Sequence, residues 1–297
     1  MKRDDLYDLA AFATVAEKAS FTRAAAELGM SQSALSHAIK SLEERMGVRL
    51  LSRTTRSVSI TDAGETLLRS LAPALHEISS AVDAVGALRG KPSGSLRITA
   101  TKHAVSSVLM PALPGFLEAH PNIQLEMIVD DKLLDIVAER IDAGIRFGDI
   151  VEKDMIAVRI GPDIRMAVVG APSYFENSPE LDTPRQLAHH RCINYRHIRS
   201  GGIYAWDFEE NGRPFQVRVS GQLVLNNTDL IREAVLAGQG LAYVFEDEVA
   251  TDLKSGRLTR ALEKWCPIFP GYYLYHPSRR QSPPALAALI ATLKHKA

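Results

Sequence analysis

The sequence predicts an α/β chain in three successive parts: a small helical unit closed by a β-hairpin, a long solitary helix, and a bilobed α/β domain. Three observations carry this. Residues 4–60 hold three short helical patterns followed by a Ser/Thr-rich stretch in which apolar and polar residues alternate. Residues 62–90 hold one long helical pattern in which Leu68, Leu71, Leu75, Ile78, Val82 and Val85 recur at spacings of three, four, three, four and three, a heptad seam. From residue 94 onward strand and helix patterns alternate, and the alternation restarts after Ala171.

In the first part, Leu9, Phe12, Ala13 and Ala16 share one face of a helix over residues 4–18. Ser20 or Thr22 caps a short second helix, residues 22–28, and Gly29 ends it. Ser31 caps a third, in which Leu35, Ile39, Leu42 and Met46 form the inward stripe. Its other face carries Gln32, Ser33, Ser36, His37 and Lys40, all hydrogen-bonding groups, with no carboxylate before Glu43 and Glu44. Two helices joined by a tight turn, the second with such a face, form a helix-turn-helix suited to the major groove. Arg49, Arg53 and Arg56 follow, with Val58 and Ile60 alternating against serines, and this predicts a small hairpin or wing that sets guanidinium groups beside phosphates. Each piece alone is an ordinary surface; the order of the pieces is the specific signal.

Composition bounds the rest. Lys plus Arg number 35 and Asp plus Glu 35, so net charge gives no indication of nucleic acid. Within residues 31–60 there are five Lys/Arg against two Glu, which predicts weak DNA binding per subunit and a need for multimers. Cys192 and Cys266 form no disulfide framework and fit a reducing cytosol. The start, MKRDDLYDLA, lacks an apolar signal core and no stretch approaches a membrane span, so a soluble, cytoplasmic protein is expected. The long helix would extend about 40 Å, more than a small domain can cover, so its seam is expected to pair with a second subunit. Pro73 removes a backbone hydrogen bond inside it and predicts a bend near Arg69.

The Lys-Pro-Ser-Gly break at residues 91–94 marks a boundary, giving parts 1–61, 62–91 and 92–297. Beyond it, strands are expected at 96–100, 123–129, 144–147, 156–160, 166–169, 192–195, 204–208, 215–219, 241–245 and 272–275. Helices are expected at 103–119, 133–140, 230–237, 246–254 and 284–294, covering a parallel sheet. Two such halves suit a hinged ligand-binding fold.

Thr101, Lys102 and His103 lie just past the first of these strands, at a helix start whose N–H groups favour an anion. Arg146, at a strand end, could line the same cleft. Opposite them, Ser200, Gly201, Gly202 and Tyr204 belong to a loop that permits close backbone approach, and Asn226 and Asn227 cap a helix. Arg196 and Arg199 lead into that loop. No carboxylate occurs in 95–104 or 192–206, so a small carboxylate-bearing metabolite is expected; the other reading is an apolar pocket lined by Ile203, Tyr204 and Phe245. His189, His190, Cys192 and His197 match no zinc spacing, and Gly238-Gln239-Gly240 follows a helix rather than a strand. With no nucleophile elbow, metalloprotease helix or phosphate loop, neither metal, cofactor nor enzymatic activity is expected.

The stretches FTRAAAELGMSQSALSHAIKSLE (21–43) and LLSRTTRSVSITDAG (50–64) resemble the signature of the LysR-type transcriptional regulators, and a weaker resemblance continues through the chain. His37 stands where arginine is more frequent in the family, which bears on half-site preference, and Leu51 where phenylalanine is usual, a core swap. The resemblance implies a winged helix-turn-helix, a dimerising linker helix and a C-terminal bilobed, periplasmic-binding-protein-like α/β domain. The chain would cross between lobes near 162–165 and 266–270, with a small-molecule effector in the cleft. The implied partners are pseudo-palindromic double-stranded DNA, further copies of the chain as a homotetramer built from two dimers, and RNA polymerase. The residues leave rivals standing: a DNA-binding repressor with no small-molecule ligand, a solute-binding protein, an enzyme with a DNA-binding arm, and an architectural DNA binder.

Overall fold

The computed structural model describes residues 3–53, 58–87, 92–148, 151, 155–197, 201–277 and 283–294. Its N-terminal unit comprises helices α1 (Arg3–Lys18), α2 (Phe21–Glu27) and α3 (Gln32–Met46) and the antiparallel strands β1 (Leu51–Arg53) and β2 (Val58–Ile60), with Leu51 opposite Ile60. Ser20, rather than Thr22, caps α2 by accepting from the Arg23 amide at 3.4 Å, and Ser31 caps α3 by accepting from the Ala34 amide at 3.2 Å. Phe12, Val15, Phe21, Leu35, Ile39, Leu42 and Leu50 form the core. Met46 departs from the expected inward stripe: it lies in the last turn of α3, past the core's edge, and is 43% exposed. Glu43 has a structural task, its Oε1 accepting from the Leu50 and Leu51 amides at 2.8 and 3.0 Å and so tethering the hairpin to α3.

Helix α4 (Asp62–Ala87) runs on from the hairpin and through Pro73. Leu67, Leu68, Leu71 and Leu75 pack on the N-terminal core, while Ile78 and Val82 are exposed. The first half of the heptad stripe is therefore used within the chain, because it faces the apolar side of the helix-turn-helix; the solvent-facing part begins at Ile78. No helix among the described residues is long and apolar enough to cross a membrane.

In the α/β domain, β3 (Gly94–Ala100) leads into α5 (Lys102–Ala104), a π-helical turn Val105–Leu109 and α6 (Met110–Ala119), then β4 (Ile123–Val129), β5 (Ala143–Phe147) and β6 (Met155–Arg159). The chain continues through β7 (Ile164–Gly170), α7 (Pro172–Phe175), β8 (Asn194–Tyr195), β9 (Trp206–Glu210), β10 (Arg213–Val217), β11 (Val224–Leu225) and α8 (Thr228–Leu236). After these come β12 (Ala242–Phe245), α9 (Glu246–Lys254), β13 (Thr259–Ala261), β14 (Ile268–Phe269), β15 (Tyr272–Pro277) and α10 (Pro284–Leu293). The first lobe's sheet has the order β4-β3-β5-β15-β6, and β7 is the centre of the second lobe's sheet, flanked by β12, β13 and β14.

Both sheets differ from the parallel arrangement expected. β3 is parallel to β4 and β5, but β15 is antiparallel to β5 and β6, since it re-enters the first lobe from the second. β12, β13 and β14 are all antiparallel to β7. The helix expected over 133–140 is a hydrogen-bonded turn: Asp135 Oδ1 takes the Val137 and Ala138 amides, each at 3.0 Å, and Arg140 ends the turn at φ 56°. The two inter-lobe segments lie side by side, with the Ile160 amide donating to the Tyr272 carbonyl at 2.9 Å. A Cβ on Gly271 would collide with the Pro162 carbonyl, so glycine is required for that approach.

Gly64, in the first turn of α4, is packed as tightly: a Cβ there would meet the Leu50 carbonyl oxygen and lie 2.7 Å from Ile60 Cγ1. The same Leu50 carbonyl accepts from the Thr61 amide at 3.0 Å, so the backbone has little room to retreat. Gly64→Ala is expected to cost about 1–3 kcal/mol through overpacking. Thermal melting of the full chain checks this; an unchanged Tm would mean that α4 does not need to approach the hairpin so closely.

Candidate functional site

Two regions gather the sequence-predicted residues. The first is the N-terminal edge of α3, where Gln32, Ser33, His37 and Lys40 are exposed and Ser36 is half-buried. Short contacts pre-order it: Thr22 Oγ1 lies 3.4 Å from Gln32 Oε1, and the Ser31 and Ser33 hydroxyls are 3.0 Å apart. Lys40 pairs with Glu44 at 3.5 Å, both well exposed, so that pair is weak. Arg45 is turned away, its guanidinium 2.8 Å from Asp8 on α1. The result is a polar ridge whose first carboxylates, Glu43 and Glu44, come only at its far end. Arg53 ends β1, whereas Arg56 and the hairpin tip lie outside the described residues.

The second region is the inter-lobe cleft. Segments following the C-terminal ends of β3 and β4 meet those following β8, β11 and β12, the position at which open α/β sheets bind ligands. Thr101 Oγ1 caps the helical run by accepting from the Ala104 amide at 3.2 Å. His103 is only 5% exposed. Its Nδ1 lies 2.9 Å from the Tyr272 hydroxyl, its Nε2 2.8 and 3.0 Å from the Asp247 carboxylate, and its ring stacks on Phe245 at 3.7 Å between centroids. Lys102 Nζ pairs with the Asp229 carboxylate. Tyr195 donates to Asp131 across the cleft at 3.3 Å, and burial, with Asp131 adding to it, pushes the phenol up to about 12.

These contacts correct the expectation that no carboxylate neutralises Lys102 and His103. The carboxylates come from the opposite lobe, in the first turns of α8 and α9. Burial alone would raise the Asp247 carboxyl, but hydrogen bonding and charge from His103 more than offset it and hold it below the usual range. Neighbouring Glu248 shifts upward, because burial outweighs the opposing charges of His103 and Lys102.

Arg146 is also corrected. It is 2% exposed, and its guanidinium donates to the carbonyls of Ile145, Asp130 and Lys132 at 2.7, 2.9 and 2.7 Å and to Thr99 Oγ1 at 3.3 Å. It staples the loop after β4 to β5, and burial lowers its pKa. On the opposite lobe, Arg196 turns back to the Gly201 carbonyl at 2.5 Å, while Gly201 and Gly202 are exposed. Arg199 and Ser200 lie outside the described residues. Tyr204 donates to Asp207 and stacks with Tyr243, and burial raises its phenol: it serves the lobe's own core. Asn227 Oδ1 caps α8 by accepting from the Leu230 amide at 3.1 Å, and Asn226 is exposed beside it. His190 lies against the Tyr174 hydroxyl at 3.2 Å, and burial pushes the Cys192 thiol up to about 12, so both belong to the second lobe's interior. The residues missed from sequence were Asp131, Tyr195, Asp229, Asp247 and Tyr272. A first-turn aspartate directly after a strand was the available signal for Asp247.

A helix-turn-helix with a polar edge, a long helix, and a two-lobed α/β domain with polar groups gathered at its cleft make up a transcriptional regulator with an effector-binding domain. The chain belongs to the LysR family of such regulators, which are not enzymes. Residues 6–65 match the bacterial regulatory helix-turn-helix protein of the lysR family, and residues 89–297 match the LysR substrate binding domain. The chain is 48% identical over 296 residues to the HTH-type transcriptional regulator PgrR of Escherichia coli, covering 100% of this chain and 99% of that protein. It is 36% identical over 290 residues to the HTH-type transcriptional regulator PtxR of Pseudomonas aeruginosa, covering 98% and 92%. Among solved structures, CrgA, a LysR-type regulator from Neisseria meningitidis, is similar at TM-score 0.58 and 26% identity, with 97% of each chain covered. The Vibrio cholerae virulence activator AphB shares the fold at TM-score 0.62 and 23% identity, covering 99% of this chain and 98% of that one.

Proposed function

We propose that this regulator reads a pseudo-palindromic double-stranded DNA site with Ser31, Gln32, Ser33, Ser36, His37 and Lys40 of α3 in the major groove. Arg53 and Arg56 of the wing would neutralise phosphates. The observation that carries this reading is the exposed, Ser31-capped edge of α3, which lacks any carboxylate ahead of Glu43. In this reading residues 1–61 bind DNA, 62–91 link subunits and 92–297 bind effector. The exposed stripe of α4 joins two subunits, and two dimers join on DNA, where the assembly can meet RNA polymerase. The effector is a small carboxylate-bearing metabolite held in the cleft by Thr101, Lys102 and His103, with Gly201, Gly202 and Asn226 at its margin.

Gln32→Ala is expected to cost roughly 1–3 kcal/mol at the preferred site and to relax specificity there, because glutamine can bind adenine bidentately. Arg53→Ala should instead weaken binding to all sequences and flatten the salt dependence. Titrations on specific and random duplexes separate the two; equal losses on both for Gln32→Ala would remove that residue from base reading.

Ile78→Lys with Val82→Lys places two charges on the exposed stripe of α4, away from the Leu71 and Leu75 contacts that the N-terminal core needs. Sedimentation should show a smaller assembly with unchanged helix content, and DNA affinity should fall. An unaltered sedimentation coefficient would exclude this face from assembly.

Organic acids that bind the cleft should raise the Tm in a concentration-dependent way. Lys102→Ala combined with His103→Ala should abolish that rise and leave DNA binding intact. A response only to neutral aromatic compounds, or an acid response that survives the double substitution, would place the effector elsewhere.

A further inference from the structure

Two basic side chains of the first lobe are already in contact with carboxylates of the second. Lys102 pairs with Asp229 and His103 with Asp247, and each pair spans the cleft from one sheet to the other. Both aspartates stand in the first turn of a nine-residue helix, where backbone N–H groups favour negative charge. An anion entering the cleft would therefore meet Lys102 and His103 already occupied by a charge of its own kind, presented on side chains that belong to the opposite lobe.

We propose that Asp229 and Asp247 are tethered competitors of the effector: they hold the lobes together through Lys102 and His103, and an anionic effector acts by replacing them. This rests on the reading of the cleft as an anion site. The exposure of the partners supports displacement. The Asp229 and Asp247 side chains are 64% and 55% exposed, so both carboxylates reach inward from solvent and can return to it. The Lys102 side chain is 42% exposed along its stem while its Nζ is buried, so the solvent-facing member of this pair is the Asp229 carboxylate. His103 is different, with a side chain 5% exposed and in contact with Tyr272 and Phe245. It is the fixed half of the latch, and Asp247 is the movable half. A diffusible anion can contact the same two side chains without a covalent link to the second lobe, so exchanging one for the other removes the inter-lobe restraint. The tethered state also lowers apparent effector affinity, because only the fraction of molecules with the aspartates withdrawn can bind.

The test is Asp229→Asn with Asp247→Asn in the full chain, with Asp229→Asn alone as the milder second variant and circular dichroism to confirm folding. Without any added compound, amide exchange in residues 101–106 and 228–250 should quicken severalfold. Succinate, benzoate and sulfate are then titrated by Tm shift against succinamide and benzamide. At least one anion should bind the double variant about fivefold more tightly than the parent, and the neutral amides should bind both proteins alike. Unchanged exchange in both variants overturns the latch. Faster exchange with equal anion affinities overturns the competition and leaves the anion site standing. Faster exchange with no anion bound by either protein overturns the anion reading itself, and the competition falls with it.

Discussion

The side-by-side passage of the two inter-lobe segments is the constraint on which the effector domain depends. The Ile160 amide bonds the Tyr272 carbonyl, and Gly271 lets the second segment lie against Pro162. That approach decides the direction in which β15 re-enters the first lobe, and hence its antiparallel pairing with β5 and β6. It also assembles an aromatic group at the joint. Phe147 stacks on Tyr272 at 4.5 Å and meets Phe269 edge-on at 5.6 Å, while His103 reaches Tyr272 from the cleft side. Rotation of one lobe against the other must slide these rings, so the geometry of the cleft and the packing of the joint cannot change independently.

Local features were legible in the sequence wherever the determining groups lie within a few residues of one another. Ser31 and the Ala34 amide are three residues apart, and Leu35, Ile39 and Leu42 report their common face by spacing alone. Legibility failed where partners are distant. Lys102 and His103 looked unneutralised because their carboxylates lie in another lobe, 144 residues along the chain in the case of His103 and Asp247. Arg146 looked like a cleft cation because nothing in its neighbourhood reveals that carbonyls 14 and 16 residues earlier fold over its guanidinium.

The heptad stripe of α4 shows a different kind of failure, in which the pattern was right and its partner was not determined. A run of Leu68, Leu71, Leu75, Ile78 and Val82 states that one face is apolar, but not what covers it. The structure divides the stripe, with the leucines packed on the helix-turn-helix core and the later residues facing solvent. Gly64 and Thr61 explain why the division falls where it does. Thr61 Oγ1 bonds the Arg49 carbonyl at 2.7 Å and accepts from the Gly64 amide at 3.1 Å, which fixes the first turn of α4 against the hairpin and sets the rotational phase of all that follows.

That fixed phase matters at the other face of α4 as well. Pro73 shares a crevice with Ile136, Val137, His276, Pro277 and Leu286, and Arg140 from the same turn approaches Glu17 of α1 at 3.8 Å. His276 and Pro277 are the end of β15, and the strand begins at Tyr272, the partner of His103. One six-residue strand thus touches the cleft at its start and the linker helix at its finish. Its middle is hydrogen-bonded on both sides, by β5 and by β6, which makes it an interior strand of the first lobe's sheet. The contact to His103 and the crevice at Pro73 therefore lie at the two ends of one hydrogen-bonded strand. From Pro73 the same helix runs back to Gly64, packed against the hairpin, and Glu43 ties that hairpin to α3.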